Sequence, residues 1–557
     1  MEPGTPSLNS SLKLLGTYTW NANMNRGSME KDVAGDIDGW IRLVSLSPPS
    51  LQDNTADADR LKNQLKRQLN TENVEIDLSV LRELPFRLRD WDYSARCVVV
   101  KERDADLWHL TGISNPLENQ RIVGVAVDLG TSRVVIRLVE LSKGEILFEA
   151  SFDNPQLSVG PDVLTRIHAC DQPGGLEKLN LMIIDELNQR IQNACSACGL
   201  DTSDVYFIAL AGNTSMTHLF MGLPPKGLIR EPYIPVINSP DVQKADAYGL
   251  QINPAGRVFI LPNIGSYFGG DLIACILHSG LSQQSDPAIL VDVGTNAEVV
   301  LGNESWLVAC AGAAGPALEG GVAQIGMMAG PGVIDRLRID PGTRVFQIHT
   351  IDEMQPIGIC GSGMIDLAAN LFLTDMIDLR GRFVPEVCGK KLVMQSSIPY
   401  LEIVSADESG TGQPLMISQA DMDSLVRSKA AMYTILETIT ESVGMALADL
   451  KTFYVAGTFG AFIDPVSAVT IGMLPDLPPE TFQSLGNSSL EGATQVLTSC
   501  ESMTAIERIK EKITYLELNV NQTFMNRFSA AKFLPHTDRS RFPSVKIASV
   551  AVKSLNI

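Results

Sequence analysis

One short pattern that occurs twice constrains this sequence most: an apolar strand ending in Asp-x-Gly-Thr, followed by a second apolar strand. The first copy is VDLGTS at residues 127–132, and the second is VDVGTN at residues 291–296. Each glycine lets a ligand approach the backbone closely, and the next two residues offer hydrogen-bonding side chains. A phosphate suits such a turn, and the aspartate beside it suits a hydrated magnesium ion. One copy would be an ordinary hairpin turn, but two copies predict a duplicated domain that holds a nucleotide between its halves.

The composition is that of an ordinary globular protein and argues against some partners. At 557 residues the chain is long enough for about two to four domains. Its 44 basic and 64 acidic residues give a net charge of −20, which argues against a nucleic-acid or anionic-membrane partner. The N-terminus shows no signal peptide, and no apolar run approaches the roughly 18 to 20 residues that cross a bilayer. We therefore expect a cytoplasmic protein.

The nine cysteines and six histidines give no strong metal signal. An odd number of scattered cysteines without an export signal indicates free thiols in a reducing compartment. Cys195 and Cys198 form the only Cys-x-x-Cys, which is either two ordinary helix thiols or part of a zinc or redox site with ligands from elsewhere. No two histidines have the spacing of metal ligands, and His218 is expected to be a packed or capping residue.

Changes of pattern along the chain divide it into five segments. Residues 1–60 are polar and weakly periodic, so we expect a partly ordered extension in which Trp20 and Trp40 pack. Residues 61–118 mix helical and strand patterns and predict a small α+β domain. The two nucleotide-binding halves are predicted at residues 119–285 and 286–545. A short tail, residues 546–557, completes the division.

Several elements are defined well enough by the sequence to give bounds. We expect a helix at residues 176–199, a strand at 205–212 and a strand at 452–457. A long helix is predicted from an N-cap at Ser418 to about Leu450.

A third glycine-bearing turn, AGTFG, follows the strand that ends at residue 457 and suits the binding of adenosine. A further glycine-rich turn, GICGSG around Gly361, opens a helix and is also expected to approach a ligand. No G-x-x-x-x-G-K-[ST] loop occurs, and no G-x-G-x-x-G follows a strand. A Walker-type ATPase and a Rossmann oxidoreductase are therefore poorly supported.

The three turns resemble the phosphate-1, phosphate-2 and adenosine motifs of the superfamily of acetate and sugar kinases, Hsp70 and actin. Over roughly residues 60–545 the sequence is similar to one family of this superfamily, the ATP-dependent reductive activators of corrinoid proteins. The segments that carry this resemblance are NPQLSVGPDVLTRI (154–167), LAGNTSMTHLFMGLPP (210–225), VDVGTNAEVVLGN (291–303), AAGPALEGG (313–321), GICGSGMIDL (358–367), YVAGTFGAFID (454–464) and IGMLPDLP (471–478). The implied fold is α/β, with duplicated actin-like (ribonuclease-H-like) halves behind a small N-terminal α+β domain.

The resemblance also implies roles for individual residues. Asp128 and Asp292 would position Mg²⁺ through water. Glu319 and Gln156 are candidates for orienting the attacking water, although Glu319 equally suits a structural acid that caps a turn. The residues implied to bind ATP are Gly130, Thr131, Ser132, Gly294, Thr295, Asn296, Gly361, Gly457, Thr458 and Gly460.

In that family, ATP turnover drives the reduction of a partner corrinoid protein of a methyltransferase system from Co(II) to Co(I). Members usually carry an iron–sulfur domain, which needs four closely spaced cysteines. Only Cys97 precedes the first hairpin, and no cysteine follows Cys500, so we expect no cluster encoded in this chain. The electrons would then come from an external ferredoxin-like donor, and the resemblance also allows a homodimer. A small-molecule kinase of the same superfamily and a non-catalytic nucleotide-binding scaffold stay open as alternatives.

Overall fold

The computed structural model describes residues 39–103, 105–118, 120–294, 297–312, 323–457, 463–516 and 522–546. Most of the predicted N-terminal extension, including Trp20, and nearly all of the predicted tail therefore lie outside the described residues.

The N-terminal α+β layer is a four-stranded sheet, in the order β1-β3-β4-β2, with two helices. Its elements are β1 (Ile41–Ser45), α1 (Asp57–Leu69), β2 (Val74–Ile76), α2 (Leu78–Asp90), β3 (Ser94–Lys101) and β4 (Trp108–Ser114). Helix α1 forms because its apolar residues repeat at helical spacing, and Leu61 and Leu65 are both fully buried.

This layer begins earlier than the sequence predicted. Strand β1 pairs with β3 in antiparallel register, so the sheet starts some twenty residues before the predicted boundary at residue 61. Trp40 is fully buried, as expected, and its indole N–H donates to the carbonyl of Val496 over 2.8 Å. A contact between positions so far apart in the sequence cannot be read from local pattern.

The first half is built on a six-stranded sheet in the order β7-β6-β5-β8-β10-β9. Strands β5 to β7 form an antiparallel meander, while β8 pairs in parallel with both β5 and β10. The strand predicted at 205–212 has those bounds, and the helix predicted at 176–199 starts and ends within two residues of them. The elements are β5 (Val123–Leu129), β6 (Arg133–Glu140), β7 (Glu145–Asp153), α3 (Val163–Ala169), α4 (Gly175–Ala197), β8 (Val205–Gly212), α5 (Thr214–Phe220), β9 (Gln243–Lys244), β10 (Arg257–Ile260) and α6 (Gly270–Ser279).

The second half repeats this arrangement, with a six-stranded sheet in the order β21-β20-β11-β12-β13-β22. As in the first half, the first strand pairs antiparallel with the next strand and parallel with a later one. The predicted duplicated α/β fold is therefore confirmed. The strands are β11 (Ala288–Val293), β12 (Ala297–Gly302), β13 (Leu307–Gly312), β14 (Val333–Ile339), β15 (Phe346–Thr350), β16 (Gly358–Ile359), β17 (Leu392–Gln395), β18 (Ile398–Val404), β19 (Leu415–Ser418), β20 (Thr452–Ala456), β21 (Phe482–Gly486) and β22 (Ile513–Tyr515).

The long helix α9 begins where the sequence predicted and ends earlier. The Ser418 hydroxyl caps the backbone N–H of Asp421, and the Asp421 carboxylate accepts the N–H of Ser418, which forms a capping box. The helix stops at Ser442 because Gly444 adopts a left-handed conformation with φ of 73°. The helices of this half are α7 (Gly361–Leu373), α8 (Pro385–Cys388), α9 (Gln419–Ser442), α10 (Pro465–Thr470), α11 (Ser488–Thr498), α12 (Glu501–Lys512) and α13 (Gln522–Ala531).

Helices α6 and α11 join the two halves. Helix α11 belongs to the second half in sequence, yet it packs on β5 and β8 of the first half as well as on α6. The two helices approach so closely at Gly492 that a Cβ there would lie 2.3 Å from the Ala274 carbonyl oxygen. Core residues from both sheets and from α11 form one continuous apolar cluster. The N-terminus of α11 is thereby fixed between the two Asp-x-Gly turns.

Candidate active site

The two Asp-x-Gly turns face one cavity of about 760 Å³ between the halves. The predicted site residues that line it are Asp128, Gly130, Thr131, Ser132, Asp292, Gly294, Gly361 and Gly457. Residues of the N-terminal turn of α11 also line it, so the cavity is built by both halves. The remaining predicted binding residues Thr295, Asn296, Thr458 and Gly460, together with Glu319, lie outside the described residues.

Hydrogen bonds to its backbone carbonyl groups fix the first turn in place. The Asn154 side chain donates to the carbonyl of Gly130 over 2.9 Å, and its backbone N–H donates to the carbonyl of Ser132 over 2.8 Å. The Arg166 guanidinium donates to the carbonyl of Thr131 over 2.7 Å. Three successive carbonyl groups are thus anchored by residues of a single segment, 154–166.

Close contacts require glycine in the first Asp-x-Gly turn and in the turn at residue 457. A Cβ at Gly130 would lie 2.3 Å from the Arg133 carbonyl oxygen, which leaves no room for a side chain. At Gly457 the backbone has φ of 85°, and a Cβ would lie 2.8 Å from Oδ1 of Asp292. The turn at residue 457 therefore lies directly beside the second aspartate.

Asp128 is fixed by side chains from the other half of the molecule. The Asn487 amide donates to its Oδ2 and the Ser489 hydroxyl donates to its Oδ1, each over 2.9 Å. Asn487 is also the N-cap of α11, because its own Oδ1 accepts the backbone N–H of Leu490. Burial raises the pKa of Asp128, and the two hydrogen bonds partly offset that rise.

Asp292 lies in a group of acidic side chains. It is directly opposite Glu298 in the β11–β12 ladder, so the two carboxyl groups are on the same face of the sheet. Asp271, at the start of α6, lines the same cavity. Burial, and then the charge of Asp292, raise the pKa of Asp271 to about 7. Burial, followed by the charges of Asp271 and Asp292, raises the pKa of Glu298 well above its ordinary value.

A thiol supports Asp292 from below. Cys275, fully buried on α6, has its Sγ 3.6 Å from Oδ2 of Asp292 and donates to it. The Ser488 hydroxyl donates to the same sulfur over 2.9 Å. Burial and the Asp292 charge raise the pKa of this thiol well above its ordinary value, so it stays protonated. Helix α11 therefore contacts Asp128 directly and Asp292 through Cys275.

The donor set fits a nucleotide with Mg²⁺. Carboxylate oxygens are ligands that Mg²⁺ accepts, and a divalent cation would favour the ionised form of these acids whose pKa burial raises. In the parts of the chain that the structure describes, no group of three or more His, Cys, Asp or Glu could hold a metal ion directly. The predicted contact of Asp128 and Asp292 with Mg²⁺ through water needs no such group.

Gln156, predicted as a candidate to orient water, has a different environment. Its side chain is fully buried, its Nε2 donates to the carbonyl of Leu179 over 2.8 Å, and its Oε1 accepts from Arg166 over 3.2 Å. It is not among the residues that line the cavity. Gln156 therefore supports Arg166 beneath the first turn, and its contact with an attacking water stays a prediction.

The other residues that the sequence singled out have structural environments. His218 is fully buried; its Nδ1 donates to the carbonyl of Thr214 over 2.7 Å, and its Nε2 accepts the N–H of Val236 over 3.0 Å. Cys195 is buried on α4, and burial raises its pKa to about 11. Burial also raises the pKa of Cys198. These features agree with a packed histidine and ordinary helix thiols.

Sequence reasoning missed four residues of the site: Asp271, Glu298, Asn487 and Ser489. Glu298 could have been found, since it and Asp292 are equidistant from the centre of the predicted hairpin. Asp271 follows a Gly-Gly pair at the start of a helix, which is a weak signal. Nothing in the local sequence marks Asn487 and Ser489, because their role depends on a contact across more than 350 positions.

Two six-stranded sheets with similar strand pairing, on either side of an acidic cleft with glycine turns, define a protein of the actin-like ATPase class. Three family models match the chain: the RACo linker region over residues 36–120, the RACo middle region over 123–284, and the C-terminal domain of RACo, the ASKHA domain, over 286–546. The chain belongs to the RACo family, which confirms the resemblance drawn from the motifs. With an ASKHA domain, it is a nucleotide-binding protein that uses Mg²⁺.

Individual relatives agree with this assignment. The chain is 31% identical over 477 residues to the corrinoid activation enzyme RamQ of Eubacterium limosum, covering 81% of this chain and 79% of the relative. It is 25% identical over 452 residues to the [Co(II) methylated amine-specific corrinoid protein] reductase of Methanosarcina barkeri, covering 72% of this chain and 75% of the relative. The solved structure of a reductive activator for corrinoid,iron-sulfur protein matches with a TM-score of 0.82 and 36% identity, over 92% of this chain and 82% of that one.

No helix among the described residues combines the length and the apolar character needed to cross a membrane.

Proposed function

We propose that this protein is an ATP-dependent activator of a corrinoid protein in a methyltransferase system. It couples the binding and hydrolysis of ATP to the one-electron reduction of the partner's cobalt from Co(II) to Co(I). Family membership supports the reaction, since its relatives carry the names of corrinoid activation enzymes and reductases. The observation that carries the proposal is that Asp128 of one half and Asp292 of the other line the same cavity, together with both glycine turns.

The residues of the cavity divide into three roles. The first and second turns, with Gly130, Thr131, Ser132 and Gly294, bind the phosphate groups of ATP through backbone amides and hydroxyls. The turn at Gly457 seats the adenosine. Mg²⁺, held through water by Asp128 and Asp292, neutralises charge on the phosphate groups.

Helix α11 is suited to couple nucleotide hydrolysis to motion of the halves. Asn487 and Ser489 hold the carboxylate of Asp128, while Ser488 reaches Asp292 through Cys275. Hydrolysis of the nucleotide beside either aspartate therefore alters the contacts of the same helical turn. Such a change drives activation only if the nucleotide states differ in their affinity for the Co(II) and Co(I) forms of the partner.

An external ferredoxin-like protein supplies the electron in this proposal. The nine cysteines of the sequence offer no run of four at the close spacing of a [2Fe–2S] or [4Fe–4S] site. Six of the nine are buried as free thiols. The electron balance is one electron from the donor to cobalt for each activation, with ATP hydrolysed to ADP and phosphate.

Phosphate release, measured with and without a Co(II) corrinoid protein and with Mg²⁺ present, tests this function. We expect hydrolysis that the partner stimulates and that Asp292→Asn abolishes, while Asp286→Asn, a change at an exposed aspartate, leaves it unaltered. A phosphorylated small molecule in place of free phosphate would identify a kinase instead. No Mg²⁺-dependent hydrolysis, even with the partner, would identify a scaffold.

A further inference from the structure

Arg166 is a fully buried cation directly behind the first phosphate turn. Its side chain is 0% exposed, and its three nitrogens are all engaged. Nη2 donates to the carbonyl of Thr131, Nε donates to the carbonyl of Gly160 over 2.9 Å, and Nη1 donates to Oε1 of Gln156. Nη1 also lies 3.3 Å from Sδ of Met216, so the partners of the guanidinium are three neutral oxygens and one thioether sulfur. Gln156 is in turn fixed by Leu179.

Arg166 forms no ion pair with any carboxylate in the described parts of the chain. Buried charges in proteins are ordinarily paired, because the loss of hydration is unfavourable. Burial lowers the pKa of Arg166 to about 10, so it keeps its charge at neutral pH. The charge of Asp162, the N-cap of α3, acts against this lowering without forming a salt bridge to Arg166. The fold thus maintains a positive charge at this position with no carboxylate of the described residues in contact with it.

The backbone N–H groups of the first turn point away from Arg166. The peptide bonds around Gly130, Thr131 and Ser132 are trans, since the only cis bonds among the described residues precede Pro232 and Pro535. In a trans peptide the C=O and the N–H of the next residue point in opposite directions. The carbonyls of residues 130 to 132 point to Asn154 and Arg166, so the N–H groups of residues 131 to 133 point the other way, towards the cavity that these residues line.

We propose that Arg166 is a positioning residue for the nucleotide phosphates, which acts through the carbonyl of Thr131. It holds the turn with its amides towards the cavity, and its positive charge attracts the polyphosphate of the bound nucleotide. This inference rests on the proposed function only in taking the cavity as the nucleotide site. It predicts that Arg166 contributes to affinity in proportion to the number of phosphate groups and contributes nothing to the binding of adenosine.

The test compares the dissociation constants of Mg-ATP, Mg-ADP and adenosine by titration calorimetry for the wild type, Arg166→Met, Arg166→Lys and a control. The control is Arg190→Met, which removes an arginine of the same half that pairs with Glu186 on the surface of α4. For Arg166→Met we expect ATP to bind about tenfold more weakly or worse, since a charge-assisted hydrogen bond is lost, with a smaller loss for ADP and no change for adenosine. Arg190→Met should bind all three ligands as the wild type does.

Equal weakening of ATP and adenosine by Arg166→Met would show a merely structural role and overturn the inference, as would unchanged ATP affinity. Arg166→Lys carries the test if the methionine variant does not fold. Because lysine keeps the charge and loses the planar fork, we expect its preference for ATP over adenosine to stay within about threefold of that of the wild type. A tenfold loss of that preference would contradict a role for the charge. Failure of the proposed function is distinguishable, since it would appear as no ATP binding by the wild type or no effect on cobalt.

Discussion

The hydroxyl of Ser489 donates to Oδ1 of Asp128 over 2.9 Å, although 361 positions separate the two residues. Ser489 lies in the first turn of α11, late in the sequence, whereas Asp128 is the second-last residue of β5 in the first half. Asp128 therefore has this hydrogen bond only when the second half has folded against the first. The same helical turn supports the other aspartate through Ser488 and Cys275.

Ser489→Ala should lower the rate constant of ATP hydrolysis about tenfold, because Asp128 loses a hydrogen bond that favours its ionised form. Steady-state phosphate release measures this. The matched control is Ser502→Ala, since Ser502 is a similarly buried serine that donates to the Gln495 carbonyl away from the cavity. An equal loss of activity in both variants would indicate general destabilisation and contradict the assigned role.

Gly492→Ala should destabilise the protein by about 1–3 kcal/mol, because the added methyl group meets the Ala274 carbonyl and forces α6 and α11 apart. The hydrolysis rate should fall too, since Asn487 and Ser489 move with the helix. Denaturant unfolding and phosphate release give the two readouts. Gly330→Ala, where a Cβ would meet nothing within 4 Å, is the control and should leave stability unchanged. Wild-type stability of Gly492→Ala would mean that the helices are not in close contact.

The pKa of Asp271 predicts how stability depends on pH without nucleotide and Mg²⁺. Its folded-state pKa is raised from 3.8 to about 7, so the unfolded chain ionises first as the pH rises. The contribution of Asp271 to the free energy of unfolding is therefore fully present below about pH 4 and is lost as the pH rises to about 7. The loss is no more than about 1.4 kcal/mol per pH unit.

Asp271→Asn should remove this part of the slope and make the ligand-free protein more stable than the wild type at about pH 8. Unfolding by urea from about pH 5 to about pH 8 measures it, with the exposed Asp286→Asn as control. A wild-type stability that rises across this window, together with no gain in Asp271→Asn, would contradict the assigned environment.

The cysteine environments predict thiol reactivity. Cys170, Cys198 and Cys500 are partly exposed, whereas the other six cysteines are buried. Under native conditions a disulfide reagent should therefore modify at most three thiols quickly, and after unfolding it should modify all nine. Rapid modification of Cys275, identified by mass spectrometry, would show that the support beneath Asp292 is open to solvent.

The sequence predicted those parts of the molecule that local pattern determines. The strand at 205–212, the N-cap at Ser418 and the duplicated turns follow from periodicity, capping chemistry and glycine spacing. The structure contains the strand, the cap and the described part of both turns. The turn residues that it describes, such as Gly130 and Gly294, line one cavity, and their binding of ATP stays a prediction. The sequence did not predict the start of the N-terminal sheet before residue 61, the burial of Gln156 or the contacts of Asn487 and Ser489. Each of these depends on packing between distant segments, which leaves no local periodic signal.

The most direct test of the central claim is anaerobic visible spectroscopy of a Co(II) corrinoid protein mixed with this protein, Mg-ATP and a reduced low-potential ferredoxin-like donor. We predict a Co(I) absorption band that forms only when ATP and this protein are both present, and that does not form with Asp292→Asn. A band of equal size without ATP, or no band in a mixture where the wild type hydrolyses ATP, would contradict the coupling of this nucleotide cleft to cobalt reduction.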